Sequence, residues 1–280
     1  MAKTSEHFAG MLLGLAVGDA LGTTLEFGPR RPLDDLHTEM IGGGIFDLSP
    51  GQWTDDTAMA VAMGRSLVQE KAFRPLSILN DWSKWYLQGK HACTGTCFDI
   101  GNATRRALDA FLQNPTVVPT ISANSLGNGS LMRVAPIVLF ASDQDEAESL
   151  AYEQSILTHG EDAARATGWF GRLLFISATS GFELALIPAD ILDRKRKDVS
   201  ASGFYKDTLE AAIWAVATTF SFEDAVIQAV NLGDDADTVG AVTGQLAGAI
   251  YGQGNIPDRW LDRLEWRNEL KDLACRLTAS

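Results

Sequence analysis

The sequence predicts an all-α fold arranged as one compact domain. Three observations carry this: apolar residues recur at the 3.6-residue period of helices, no segment alternates convincingly as a strand, and two rows of glycine repeat at i, i+4 spacing.

The first row, Gly10, Gly14, Gly18 and Gly22, marks a helix near the N-terminus. Amphipathic or buried helices are then expected over 58–67, 76–86, 103–111, 145–157, 163–180, 209–219, 222–231 and 239–251, where apolar residues return every three or four positions. The second row, Gly240, Gly244, Gly248 and Gly252, runs along the last of these. The best strand candidate, 117–121, is short and broken by Pro119. Connecting segments carry Gly, Pro, Asn and Ser, and none resembles a long interdomain linker, so residues 1–280 read as a single domain.

Each glycine inside a helix costs ~1 kcal/mol relative to alanine, so each row needs a compensating gain. A ridge of i±4 positions without side chains lets a second helix approach closely. Each row could pack against any neighbour. The sharper expectation is that the two rows pack on each other, bringing Asp19 and Glu26 into the region of the acidic residues that open the second helix.

The chain has 23 Lys+Arg against 36 Asp+Glu, a formal charge of −13, which argues against nucleic acid as its primary partner. With 46% hydrophobic and 21% charged residues it lies well away from disordered compositions. Cys93, Cys97 and Cys275 are too few and too odd in number for a disulfide framework, and no second pair beside Cys93 and Cys97 completes a zinc site. The apolar run 11–18 follows Lys3, Glu6 and His7 and meets Asp19, which leaves it short of a membrane span. With no small-residue cleavage site either, a cytoplasmic setting is expected.

Two acidic clusters carry the chemistry. Trp53-Thr54-Asp55-Asp56-Thr57 precedes one helix, where Thr and Asp also serve as ordinary caps. Gly233-Asp234-Asp235-Ala236-Asp237-Thr238 precedes the glycine-ridged helix, and three carboxylates in four residues repel one another more than capping requires. Both offer only oxygen donors, which select Mg²⁺, Mn²⁺ or Ca²⁺ over zinc or copper. Converged, they could hold a pair of divalent ions. Neither has the glycine and glutamate spacing of an EF-hand.

These motifs, with Gly14-Leu15-Ala16-Val17-Gly18-Asp19-Ala20-Leu21-Gly22, Glu26, Gly127-Asn128-Gly129-Ser130-Leu131-Met132-Arg133 and Thr158-His159, resemble the ADP-ribosylglycohydrolase family from about residue 8 to residue 252. Cys97-Phe98-Asp99-Ile100-Gly101-Asn102 and the stretch from Gly203 to Glu210 resemble its arginine-directed branch, which includes the dinitrogenase reductase-activating enzymes. The resemblance implies an all-α fold around two divalent cations, Mg²⁺ or Mn²⁺. It also implies removal of ADP-ribose from arginine on a protein, by hydrolysis of the N-glycosidic bond.

Carried over by position, Thr54, Asp55, Asp56, Asp235, Asp237 and Thr238 are the expected metal ligands, with Asp234 outside the pattern as a cap or supporting residue. Asp99, Glu26 and Asp55 are the catalytic candidates, Glu26 lying on a flexible segment after the first helix and Asp99 facing the guanidinium as acid and base. Asn102 is expected beside Asp99. Asn128, Gly129 and Ser130 would offer backbone N–H groups and a hydroxyl to phosphate oxygens. His159 is expected near the diphosphate or distal ribose, Tyr205 on the adenine or over the cleft, and Arg133 in a structural role. Other readings are another ADP-ribosyl linkage, to serine or a nucleobase, a phosphohydrolase acting on the diphosphate, or a non-catalytic crystallin-like member.

Overall fold

In a computed structural model the described residues, 5–279, form thirteen α-helices; Lys3 lies outside them. The helices are α1 (Ser5–Gly22), α2 (Asp55–Glu70), α3 (Pro75–Gln88), α4 (Asn102–Gln113), α5 (Ala135–Phe140), α6 (Gln144–Ser155) and α7 (Glu161–Thr179). After these come α8 (Ala189–Leu192), α9 (Tyr205–Ala217), α10 (Phe222–Val230), α11 (Ala236–Tyr251), α12 (Asp258–Leu261) and α13 (Arg267–Thr278). The eight expected helices are all present, with ends moved by a few residues. Helices α5, α8, α12 and α13 carry no matching expectation, and 117–121 is a largely exposed loop rather than a strand.

The two glycine rows pack on each other. A Cβ added at Gly14 would fall on the Gly244 carbonyl, at Gly18 on that of Gly240, and at Gly22 on that of Ala236. That register makes α1 and α11 antiparallel, with backbones in direct contact over four turns. Close approach returns in dispersion what the glycines lose in helix propensity. The pair forms the centre of the domain, and every residue of α1 from Phe8 to Gly22 is buried. By length and composition Ser5–Leu25 could cross a membrane, contrary to the expectation from 11–18 alone, but 83% of its apolar window is buried inside the protein. Core burial on all sides accounts for its hydrophobicity.

Antiparallel packing sets the position of the site. The end of α1 meets the beginning of α11, and the beginning of α2 docks beside both through Asp19. The segment after α1 is tied to the turn before α11, Phe27 N–H donating to the Asp234 carbonyl (2.6 Å) and Asp234 N–H to that of Gly28 (2.9 Å). Asp234 has φ 59 and an exposed side chain, so it holds the Glu26 segment through its backbone and is not a cap.

Candidate active site

The clusters open their helices from within the first turn. Thr54 is the N-cap of α2, Asp55 and Asp56 follow as its first residues, Asp235 is the N-cap of α11, and Asp237 and Thr238 lie in its first turn. Carboxylates there face the positive helix end. Thr54 Oγ1 lies 3.3 Å from Asp237 Oδ2 and 3.0 Å from Asp19 Oδ1, and Thr238 Oγ1 lies 3.4 Å from Asp56 Oδ1. Segments about 180 positions apart thus form one cluster.

This cluster borders a cleft of about 430 Å³. Glu26, Asp55, Asp99, Asp235 and Thr238 line it, while Thr54, Asp56 and Asp237 stand behind them, buried. Glu26, Asp99 and Asp237 bring one carboxylate oxygen each within 4.8 Å of one another. Asp99 reaches in from a left-handed residue (φ 58) two positions before the α4 N-cap, Gly101. Asp99 therefore caps no helix.

Burial, then mutual repulsion, raises these carboxylates. Glu26 is pushed up to about 9 by burial and the charges of Asp99 and Asp235, and Asp99 to about 7 by burial and Asp235. Asp55, Asp56 and Asp237 are raised well above the ordinary carboxylate range, again by burial first. Glu26 Oε2 and Asp56 Oδ2 are buried without a hydrogen-bond partner. Crowded oxygen donors with unsatisfied lone pairs fit a hard divalent cation, so the cluster can hold metal.

Beside the acidic residues, Asn128, Gly129 and His159 build one wall of the cleft. Asn128 Nδ2 donates to Asp235 Oδ2 (2.7 Å) and Thr208 Oγ1 (2.8 Å), while its backbone N–H donates to Gly203. It braces Asp235, so its side-chain donors and backbone N–H are already engaged. Ser130 departs from expectation: it is fully buried and absent from the cleft lining, with its hydroxyl 2.9 Å from Thr167 Oγ1. Thr167 spends its own proton on the Ala163 carbonyl, which makes Ser130 the donor and turns it inward. Tyr205 also differs. It is the first residue of α9 and lines a separate groove with Trp169, Leu209 and Ile213, its ring 4.7 Å from Phe204.

Asn102, the first residue of α4, lines the cleft in an exposed position, and Arg106 lines it one turn later. Arg106 is a cleft residue with no motif of its own in the sequence; its i, i+4 spacing from Asn102, which places both on one helix face, is the signal that marks it. Asp19, for which the sequence carries no role beyond its nearness to the acidic region, binds the start of α2. Arg133 is fully buried behind the wall, its guanidinium 4.0 Å over the Trp82 ring, and does not line the cleft.

An all-helical frame with a carboxylate-lined, cation-receptive cleft at the junction of three helix starts defines the class. A family model, ADP-ribosylglycohydrolase, matches residues 1–280, and the chain belongs to that family. It is 39% identical over 295 residues to the ADP-ribosylarginine hydrolase Tri1 of Serratia proteamaculans, covering 99% of this chain and 80% of the relative. It is 34% identical to the ADP-ribosyl-[dinitrogen reductase] glycohydrolase of Rhodospirillum rubrum, covering 93% of this chain and 90% of that protein. A solved ADP-ribosylglycohydrolase-related protein complex superposes with a TM-score of 0.82 at 36% identity, covering 100% of this chain and 99% of that one.

Proposed function

We propose that this protein is a metal-dependent hydrolase that removes ADP-ribose from ADP-ribosylated arginine on proteins, reversing mono-ADP-ribosylation. The observation that carries the reading is the convergence of Glu26, Asp55, Asp99 and Asp235 in the lining of one cleft, with Glu26 Oε2 and, behind the lining, Asp56 Oδ2 left without hydrogen-bond partners. The arginine-directed relatives support the linkage. The family model's match over the whole chain supports one domain, and free, half-buried Cys93 and Cys97 fit a reducing cytoplasm.

Thr54, Asp55, Asp56, Asp235, Asp237 and Thr238 would hold two divalent ions, Mg²⁺ or Mn²⁺. When bound, such ions supply Lewis-acid polarisation and lower the pKa of water. Guanidine is a poor leaving group, so proton transfer to the departing nitrogen matters as much as attack at the anomeric carbon. Asp99 accepts the guanidinium fork when ionised, and a proton that it takes from the attacking water can pass to the leaving nitrogen. Glu26 faces it across the same site and orients the reacting ribose. Asn102 borders the guanidinium side, and Asn128, Gly129 and His159 form the wall against which the diphosphate would lie.

The test is release of ADP-ribose from an arginine-ADP-ribosylated peptide by the Mn²⁺-loaded protein. A serine-linked peptide run in parallel separates the other linkage. AMP as product would assign the chain to diphosphate cleavage, and no release from either peptide would overturn the reading.

A further inference from the structure

His159 ends a chain of side chains that begins deep in the core. Arg133, with no exposed surface, donates through Nε to Gln154 Oε1 (2.9 Å) and through Nη2 to Thr158 Oγ1 (2.6 Å), rather than to a carboxylate. Thr158 Oγ1 lies 2.7 Å from His159 Nδ1. The other ring nitrogen, Nε2, lies at the cleft wall beside Gly127 and Gly129, where an added Cβ would meet it at 3.6 and 3.3 Å respectively.

Donor counting orders the protons. A guanidinium can only donate, so Thr158 Oγ1 accepts from Arg133. The Thr158 proton then has one acceptor in reach, His159 Nδ1, which leaves the ring proton on Nε2. The reverse order, Nδ1–H donating to Thr158, strands the hydroxyl proton in a fully buried place, at the cost of an unmade hydrogen bond. Burial, followed by the Arg133 charge, pushes His159 down to about 3, so the ring is neutral.

We propose that Arg133 and Thr158 are positioning residues that hold His159 as its neutral Nε2–H tautomer, a fixed hydrogen-bond donor to an anionic oxygen of the ligand in the cleft. Arg133 acts in two ways: its proton donation orients the Thr158 hydroxyl, and its charge opposes a second proton on the ring. The bare backbone at Gly127 and Gly129 leaves room for an oxyanion to reach the N–H. In a chain of charge −13 a neutral donor binds an anion without adding a titrating group. The ligand half of the proposal rests on the ADP-ribosyl reading above; the tautomer half does not.

The test joins a spectroscopic and a binding measurement on the Mg²⁺-loaded full chain at neutral pH. Long-range ¹H–¹⁵N correlation, with His159 assigned by its loss in His159→Gln, should show the neutral Nε2–H pattern. Thr158→Val keeps the volume and removes the hydroxyl; the Nδ1 resonance should move to that of a nitrogen accepting no hydrogen bond, and ADP-ribose binding should weaken roughly ten- to a hundredfold by calorimetry. Thr158→Ser should restore both. A wild-type ring that is Nδ1–H or doubly protonated overturns the proposal without any variant having to fold. An unchanged Nδ1 resonance in Thr158→Val overturns the relay, and a changed resonance with unchanged affinity overturns the donor role. Wild-type protein that binds no ADP-ribose overturns the activity reading and the ligand half, while the tautomer result stands separately.

Discussion

Asp19 and Thr54 are joined twice: one Asp19 carboxylate oxygen accepts both the backbone N–H (2.9 Å) and the hydroxyl (3.0 Å) of Thr54. Its other oxygen takes the N–H (3.0 Å) and hydroxyl (2.6 Å) of Thr57. A side chain from α1 therefore satisfies the orphan donors at the start of α2 and fixes the turn bearing Asp55 and Asp56.

Removing that brace should be costly. Asp19→Ala leaves the backbone N–H groups of Thr54 and Thr57 and the Thr57 hydroxyl unpaired in the core, for a loss of at least about 2 kcal/mol, while the Thr54 hydroxyl keeps Asp237 as its acceptor. Metal affinity should fall in parallel, because Thr54 and Asp55 lose their fixed positions. Thermal melts and Mn²⁺ titrations measure the two effects, and wild-type values in both would exclude Asp19 from the site.

Metal-free protein should become less stable as pH rises. The folded-state values of Glu26 (about 9) and Asp99 (about 7), and those of Asp55, Asp56 and Asp237, are raised above the unfolded range. Groups raised in this way contribute stability that is complete below pH ~4 and lost as pH climbs through the folded values. Melting temperature in EDTA should therefore decline from pH 5 to pH 9. Saturating Mg²⁺ should raise it most at the alkaline end, where the carboxylates are ionised. A flat or rising profile in EDTA contradicts the assignment of these carboxylates to one buried cluster.

Asp99→Asn should retain bound metal and ADP-ribose affinity while turnover drops by ~10²–10⁴-fold, the range of a lost acid/base residue. Because Gly101 caps α4, no capping role for Asp99 competes with this outcome. Turnover on an ADP-ribosylated arginine peptide, with metal quantified alongside, decides it. Metal loss accompanying the low rate would make Asp99 a ligand, as its nearness to Glu26 and Asp237 permits.

Gly14→Ala or Gly244→Ala should destabilise the fold by about 3 kcal/mol or more, since each Cβ would meet the facing helix's backbone rather than a movable side chain. Gly254→Ala, whose Cβ would only touch the Glu6 side chain at 3.8 Å, should stay within about 0.5 kcal/mol of wild type. Denaturant midpoints give the comparison. A mild effect at both Gly14 and Gly244 would mean that the two backbones can separate at little cost.

The helices were legible because burial of one face imposes a period that neighbouring residues reveal by themselves. The acidic motifs were legible for a related reason: carboxylates this dense repel unless something positive joins them, and density is a local property of the chain. The glycine rows told more, since a ridge without side chains only repays its cost against another backbone, and the matching rows pointed to α1 and α11.

Direction of side chains was another matter. Ser130 and Gly129 are neighbours in one turn, yet Gly129 lines the cleft and Ser130 points inward to Thr167, thirty-seven positions away. Tyr205 turns to a different groove, Asn128 braces Asp235, and Asp19 binds the start of a helix thirty-five positions on. Local sequence determined which segments are helical and which carry the acidic oxygens. Which polar atoms remain free for a ligand was decided by tertiary packing, because a buried donor is claimed by whichever acceptor the fold brings within 3 Å, and that acceptor is usually distant in the chain.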